Sequence, residues 1–471
     1  MIGRQLIFKR RQVFFFYQSR IHIYDCTRAY QRQSIISVKG VTFIQITIVP
    51  LYITGLLLLL MLLLRFKREP LIVLGIFFGT FLILSSYLSS SSSSVFHDAW
   101  AQSDIQTVKY RNLTLDLGNG VKTNAQISYP AIGKGPFPGV LLVPGSGATD
   151  MNSTLNKDVK PFWEIANYLS ERGFEVLRYD KRGIGPNLTI QDSNVWGNMT
   201  VTDLINDAEK ALNVLSEQPD VDPKNMSIVG HSEGTIIVPQ VAIDNPTKVK
   251  NIVLMGAVAQ NLIKDILHYQ VVDLRSNYAS EVLDVNRTGF VSIDQMASDP
   301  LLDDVVVNSS LLNTHSVTNS TLTKDTVENE SRNQSNNSGH ININIQLKPL
   351  LLKEYESKIA FNLAKCDKII GCPLWIKSEA DLEPNLSTIG NVSKSIPILI
   401  LQGEHDSATP LEQGLLLHQR LDEVNHPDHT LITYPNLGHF FYPSSKWQNG
   451  LGPVDPQVLA DLYSWLESKS R

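Results

Sequence analysis

From about residue 105 the chain alternates short apolar runs with amphipathic stretches. "GVLLVPGSG" predicts a buried strand entering a glycine-rich loop, and "FWEIANYLSERG" a helix stopped by Gly173. The strand "FEVLRYDKRG", the helix "TDLINDAEKALNVLSEQ", the strand "MSIVG", a helix after Ser232 and the strand "VKNIVLMGAV" come next. The rhythm resumes later with "PILILQGEHD", "LEQGLLLHQRLDEV", "HTLITYP" and the closing helix "PQVLADLYSWLES". Upstream, "VKTNAQISYP" reads as an edge strand. Strands alternating with helices predict an α/β fold, a mostly parallel sheet flanked by helices on both faces.

The alternation breaks between about 260 and 395. Residues 308–345 are dominated by Asn, Ser and Thr, a composition that cannot bury enough apolar surface to order itself. The whole interval reads as a helical cap inserted between two core strands and carrying a disordered loop. The expected organisation is therefore an N-terminal region (1–101), the core's first part (102–259), the cap (260–395) and the core's second part (396–471).

The N-terminal region obeys different rules. Its first 40 residues are basic, with Arg4, Lys9, Arg10, Arg11, Arg20, Arg28, Arg32 and Lys39 against Asp25. "FIQITIVPLYITGLLLLLMLLL" (43–64) and "LIVLGIFFGTFLILSSYL" (71–88) then run without a charge, long enough for a transmembrane region. If both span, the basic start favours a hairpin that returns the main domain to the cytoplasm. If Arg65, Lys67 and Arg68 form the positive flank, the second segment is a signal sequence or anchor that exports the main domain. Export is favoured by Ala99-Trp100-Ala101, a small-x-small cleavage pattern, and by Met61, a candidate alternative start ahead of "LLLRFKREP". Acceptor sequences for N-glycosylation point the same way, among them Asn112, Asn152, Asn187, Asn198, Asn225, Asn286, Asn385 and Asn391. The main domain is expected outside the cytoplasm, membrane-anchored or secreted.

Length and composition narrow the classes further. A chain of 471 residues is long for one domain and accommodates a catalytic-sized core with added segments. Its net charge of −5 supplies no basic field to displace counterions from a nucleic acid, so no nucleic-acid partner is expected. Three cysteines cannot build a disulfide framework, though Cys366 and Cys372 in "CDKIIGC" could close one small loop outside the cytosol. No Cys or His beside them completes a zinc site.

The chemistry gathers around "IVGHSEGTIIV" (228–238). An apolar strand that halts at Gly-x-Ser-x-Gly and resumes as a helix forms a tight turn, where a Cβ at Gly230 or Gly234 would clash. Ser232 is thereby presented at the carboxyl end of the sheet, near a helix N-terminus. A serine hydroxyl needs a base to become a nucleophile. His439 in "NLGHFF" lies on a loop after the last strand, whereas the His231 side chain leaves the turn in another direction. The base needs a carboxylate to hold its tautomer, and Asp406, closing "PILILQGEHD", is the candidate, with Glu404 as the competing acid.

Ser232, Asp406 and His439 in that order, each after a strand, resemble the α/β-hydrolase superfamily. "LLVPGSGATD", "LRYDKRGIG", "IVGHSEGT", "LILQGEHDSATP" and "LGHFF" together resemble its serine aminopeptidase-like and esterase branch, over roughly 105–260 and 395–470. The family's Gly-x-x-Asp pattern selects Asp406, and the resemblance implies an oxyanion hole from the backbone N–H groups of Ser146 and Glu233. Such donors meet charge that develops only in the transition state. Tyr179, Asp180, Lys181 and Arg182 are expected to brace the nucleophile turn, and Asp150 to order the oxyanion loop.

One cap motif stands apart. "DVNRTGFVSIDQ" sets Asp284, Asn286, Thr288, the Phe290 carbonyl, Ser292 and Gln295 at the six ligand positions of an EF-hand loop, with Gly289 at the sharp turn. One carboxylate ligand makes a weak calcium site, or a loop that only builds the cap. No other cofactor is expected. The leading function is a serine hydrolase cleaving a small carboxylic ester or acyl substrate through an acyl-enzyme on Ser232. A peptidase or amidase of the same branch is the alternative enzyme, and a catalytically idle, membrane-tethered binding protein the alternative from another class.

Overall fold

The computed structural model describes residues 107–308, 339–366 and 371–470. The apolar segments at 43–64 and 71–88, the small-x-small site and Met61 lie outside the described residues. Among those described, no helix is long and apolar enough to cross a membrane.

Eight strands form the central sheet: β1 (Val108–Gly118), β2 (Val121–Pro130), β3 (Phe137–Val143), β4 (Glu175–Tyr179), β5 (Val221–His231), β6 (Val249–Met255), β7 (Ile398–Gly403) and β8 (His429–Tyr434). Their order is β1-β2-β4-β3-β5-β6-β7-β8. From β4 to β8 every pairing is parallel, while β2 runs antiparallel to both its neighbours. The stretch expected at the edge, "VKTNAQISYP", is therefore an inner strand. The edge is β1, whose polar and apolar residues alternate in exposure because one face is solvated.

Alternation across the strands builds two core faces. In β3, Leu141 and Val143 point to one side, and Val140 and Leu142 to the other. The first side is covered by α2 (Val201–Ser216), α3 (Gly234–Asp244) and, later in the chain, α6 (Leu411–Glu423). The second is covered by α1 (Pro161–Ser170) and α7 (Pro456–Lys469). Helix α2 shows why the sequence folds this way locally. Thr200 and Asp203 close a reciprocal capping box, and Leu204, Ala208, Ala211, Leu212 and Leu215 form one buried stripe. Each buried leucine adds about 1.5–3 kcal/mol over an exposed one.

Between β6 and β7 the cap has a core of its own, including Val271, Val272, Met296, Val306, Ile341, Leu347 and Leu351. Its helices are irregular, with π turns at Leu262–Ile266, Tyr269–Asp273, Ala279–Leu283 and Ile343–Leu347 before the longer α4 (Lys348–Ala364) and α5 (Pro373–Asp381). The expectation of disorder through 345 is corrected at its C-terminal end. His340–Asn342 pairs antiparallel with Phe290–Ser292, and Ile341 and Ile343 are buried in the cap. Two isoleucines spaced two apart give this end the apolar face that the polar tract before it lacks. Residues 309–338 lie outside the described residues.

Cys366 and Cys372 are joined in a disulfide at the start of α5. The glycosylation acceptors divide by exposure. Asn112, Asn187, Asn198, Asn286 and Asn391 are exposed. Asn385 is buried, donating to the Thr235 and Val258 carbonyls, and Asn225 is buried with a bond to the Ser470 carbonyl, so neither can carry a glycan in the folded protein.

Candidate active site

The turn after β5 explains its own composition. A Cβ at Gly230 would meet the Gly234 carbonyl oxygen at 2.3 Å, and one at Gly234 would meet the Val143 carbonyl oxygen at 2.3 Å. Ser232 sits between them at φ 56°, a left-handed conformation costly for a residue with a side chain. The Ser232 N–H donates to the Met255 carbonyl, the Ser232 carbonyl accepts from Thr235 N, and α3 begins at once. Strain is thus held in place by backbone bonds on both sides.

His439 lies past β8 and Asp406 just past β7, two loops at the same carboxyl edge. His439 Nδ1 donates to Asp406 Oδ2 at 2.9 Å. The Asp406 carboxylate is otherwise ringed by donors: Ala408 N and Thr409 N on Oδ1, Thr409 Oγ1 and Gln402 Nε2 on Oδ2. Glu404 takes no part in this arrangement; its Oε1 accepts from Thr433 Oγ1 at the surface. His231 turns away from the nucleophile. Its Nε2 donates to the His439 carbonyl at 2.9 Å, its ring stacks on Phe440, and burial lowers its pKa to about 3. A neutral His231 therefore braces the His439 loop from the residue beside Ser232.

The strand order brings these parts together. Strands β3, β5, β6, β7 and β8 are successive neighbours, so the glycine-rich loop, the Ser232 turn, and the Asp406 and His439 loops share one edge. A Cβ at Gly145 would lie 3.0 Å from the Ser232 Cβ, so the glycine-rich loop packs directly on the nucleophile turn. Ser146 is the next residue on this loop, and the Glu233 backbone opens α3. Asp150 orders the loop as expected, its Oδ1 accepting from Asn152 N and Thr154 N. Asp180 accepts from Met151 N, and Arg182 grips Asp207 bidentately at 2.6 and 2.7 Å. A cleft of about 600 Å³ opens beside Asp406, between Tyr269 and Gln260 of the cap side and Leu411 and Gln413 of α6.

The EF-hand-like loop folds with the sharp turn its sequence demands, Gly289 at φ 80°. The Thr288 and Gly289 N–H groups donate to the Asp284 carboxylate, as does the Thr288 hydroxyl, and they hold its pKa below the usual carboxylate range. The ribbon closes reciprocally: Ile293 N donates to the Gly339 carbonyl, and Ile343 N to the Gly289 carbonyl. Asn286, Thr288, Phe290 and Gln295 are exposed and Ser292 is partly buried. Among the described residues, His, Cys and carboxylate ligand atoms converge elsewhere, at His418, Asp422 and His429. That group lies at the amino end of β8, the opposite end of the sheet from Ser232.

A contribution that sequence reasoning left out comes from the cap. Trp375 of α5 donates its indole N–H to Glu233 Oε1 at 2.5 Å, and Glu379, one turn on, is buried against the same carboxylate. Nothing in the local pattern of "CPLWIKSEAD" distinguishes this contact from ordinary helix packing.

Several known proteins are similar to this chain. A family model described as alpha/beta hydrolase fold matches residues 138–445. Esterase EstD of Thermotoga maritima is 37% identical over 150 residues, covering 31% of this chain and 34% of that protein. Esterase FrsA of Yersinia pestis is 23% identical over 153 residues, covering 32% and 33%. The chain thus matches about a third of the length of these curated relatives. Among solved structures, a thermostable carboxyl esterase from Bacillus coagulans is 16% identical at TM-score 0.44, covering 77% of this chain and 99% of that one. A proline iminopeptidase from Mycobacterium smegmatis is 14% identical at TM-score 0.44, covering 76% and 99%.

Proposed function

The chain belongs to the α/β-hydrolase family, and from that premise we propose that it is a serine esterase that forms an acyl-enzyme on Ser232. The observation that carries this reading is the strained Ser232 on its turn, at the same sheet edge as the bonded Asp406–His439 pair. His439 Nε2 takes the hydroxyl proton as Ser232 Oγ attacks the ester carbonyl carbon. Asp406 fixes the tautomer that leaves Nε2 free to accept, and stabilises the imidazolium that forms. The N–H groups of Ser146 and Glu233 receive the oxyanion, aided by the positive end of α3. The imidazolium returns its proton to the leaving alcohol. A water activated by His439 then attacks the acyl-enzyme, releasing the acid and restoring Ser232.

The test is a fluorophosphonate probe with peptide mapping, run beside short p-nitrophenyl esters and aminoacyl anilides. Labelling at Ser232 and preferential ester turnover are expected. Labelling with preferential anilide turnover would make the protein a peptidase or amidase of the same mechanism, and no labelling would leave an idle binding fold.

The Cys366–Cys372 disulfide supports an extracytoplasmic main domain, because such bonds persist in oxidising compartments. With it we propose that the apolar segment at 71–88 is the signal sequence or membrane anchor that exports the main domain. Calcium is the cofactor we propose for this setting, bound weakly at Asp284, Asn286, Thr288, Phe290, Ser292 and Gln295. At about ten times a millimolar dissociation constant, Ca²⁺ adds about 1.4 kcal/mol of stability. A rise in Tm of roughly 2 °C is expected. Asp284→Ala should abolish the rise and Gln295→Glu enlarge it. A flat titration of both the native protein and Gln295→Glu would reduce the loop to cap architecture.

A further inference from the structure

Lys181 is the least ordinary residue near the site. Its ammonium is almost wholly buried and makes two bonds of 2.7 Å, one to the Gly145 carbonyl and one to Glu233 Oε2. Those partners are not arbitrary. Gly145 is joined by its peptide bond to the Ser146 N–H, and Glu233 contributes the other backbone donor expected at the oxyanion hole.

A trans peptide holds its C=O and N–H on opposite sides of one plane. Fixing the Gly145 oxygen on Lys181 therefore fixes the direction of the Ser146 N–H, on the segment that packs against the Ser232 Cβ. The second bond ties the residue after the nucleophile to the same ammonium. Lys181 is itself anchored, because its own N–H donates to the Thr149 carbonyl farther along the glycine-rich loop. We propose that Lys181 is a positioning residue that registers the two oxyanion donors against each other, and that the cap completes the device through Trp375 on Glu233.

Three alternatives carry less. A salt bridge for stability alone is weak compensation for burying two charges, since replacing such pairs by apolar groups is often neutral or better. A proton relay would need a path from Lys181 to Ser232 Oγ, and its bonds go to a carbonyl and a carboxylate instead. A general electrostatic role is offset by Glu233 at 2.7 Å. Glu379 supports the positioning reading, because burial and the neighbouring Glu233 raise its pKa well above the usual carboxylate range. Burial of Glu379 against Glu233 thus disfavours a second negative charge beside the Lys181–Glu233 pair.

This inference rests on the acyl-enzyme reading above, and the experiment separates the two. The variants are Lys181→Met combined with Glu233→Gln, which removes both buried charges together and so leaves neither unpaired, and Trp375→Phe, which removes the cap tryptophan's bond to Glu233. Each is assayed for kcat and KM with p-nitrophenyl acetate, for affinity to phenylboronic acid as a tetrahedral adduct of Ser232, and for fluorophosphonate labelling. The double variant should lose about a hundredfold in kcat with KM within about twofold, and boronate affinity should fall in the same proportion. Trp375→Phe should lose about tenfold on the same two readouts. A purely structural pair would lower Tm and leave kcat and boronate affinity intact below the melting range; that result overturns the proposal. If the wild-type protein shows no labelling at Ser232, the acyl-enzyme reading fails instead and takes this inference with it.

Discussion

Ser232→Ala is expected to lower kcat for a short p-nitrophenyl ester by on the order of 10⁶, with Tm nearly unchanged. The chemistry loses its nucleophile, so only the oxyanion donors and substrate binding remain to act on the ester. Together they retain about 10³–10⁴ over the uncatalysed reaction. The fold loses little, because the turn is held by the Ser232 backbone N–H and carbonyl, through Met255 and Thr235, which alanine keeps. Alanine inherits the same strained φ of 56° as serine. Retention of more than about a thousandth of wild-type kcat would count against an acyl-enzyme on this residue.

The turn that carries this prediction was legible because two glycines and a serine leave few conformations open. A Cβ at Gly230 would meet the Gly234 carbonyl oxygen at 2.3 Å, a clash within the turn itself, and one at Gly234 would meet Val143 of the neighbouring strand, a clash that the Gly-x-Ser-x-Gly pattern announces only through its glycine. The strands from β3 to β7 were equally plain, since burial on both faces demands continuous apolar runs. β1 was not, because an edge strand solvated on one side looks like any polar stretch with scattered leucines. The cap resisted for another reason. The burial of Ile341 and Ile343 accompanies a ribbon formed by residues some fifty positions apart, and no local periodicity records that pairing.

The oxyanion region shows the same limit at finer scale. "RYDKRG" is expected to brace the nucleophile turn, but Asp180 bonds Met151 and Arg182 bonds Asp207 of α2, and of these three residues Lys181 is the one bonded to the turn, through Glu233. What it cannot announce is that Lys181 spans from one donor loop to the other, or that a tryptophan 142 positions beyond Glu233 closes the cluster. The first arises from neighbouring strands that bring three loops to one sheet edge, the second from the cap folding back over the core.

Asp406→Asn is expected to lower kcat/KM by about 10⁴, whereas Glu404→Gln should change it less than about twofold. The contrast arises from the groups around each carboxylate. Asp406 accepts from two backbone N–H groups on one oxygen, and from Thr409, Gln402 and His439 on the other. Every one of these groups can be satisfied as a donor only by an acceptor. An asparagine has one oxygen, so its amide NH₂ must face either the backbone pair or the His439 side. In the first orientation it opposes two N–H groups that cannot rotate. In the second it drives His439 toward the tautomer whose Nε2 carries the proton, and that tautomer cannot take one from Ser232. The first cost falls on stability, at about 1–3 kcal/mol for an unsatisfied buried donor, and the second on catalysis. Glu404 bonds a surface threonine and lacks both constraints. Paired measurement of kcat/KM and Tm for the two variants decides the assignment: a large loss at Glu404 with Asp406 spared would transfer the role of the acid to Glu404.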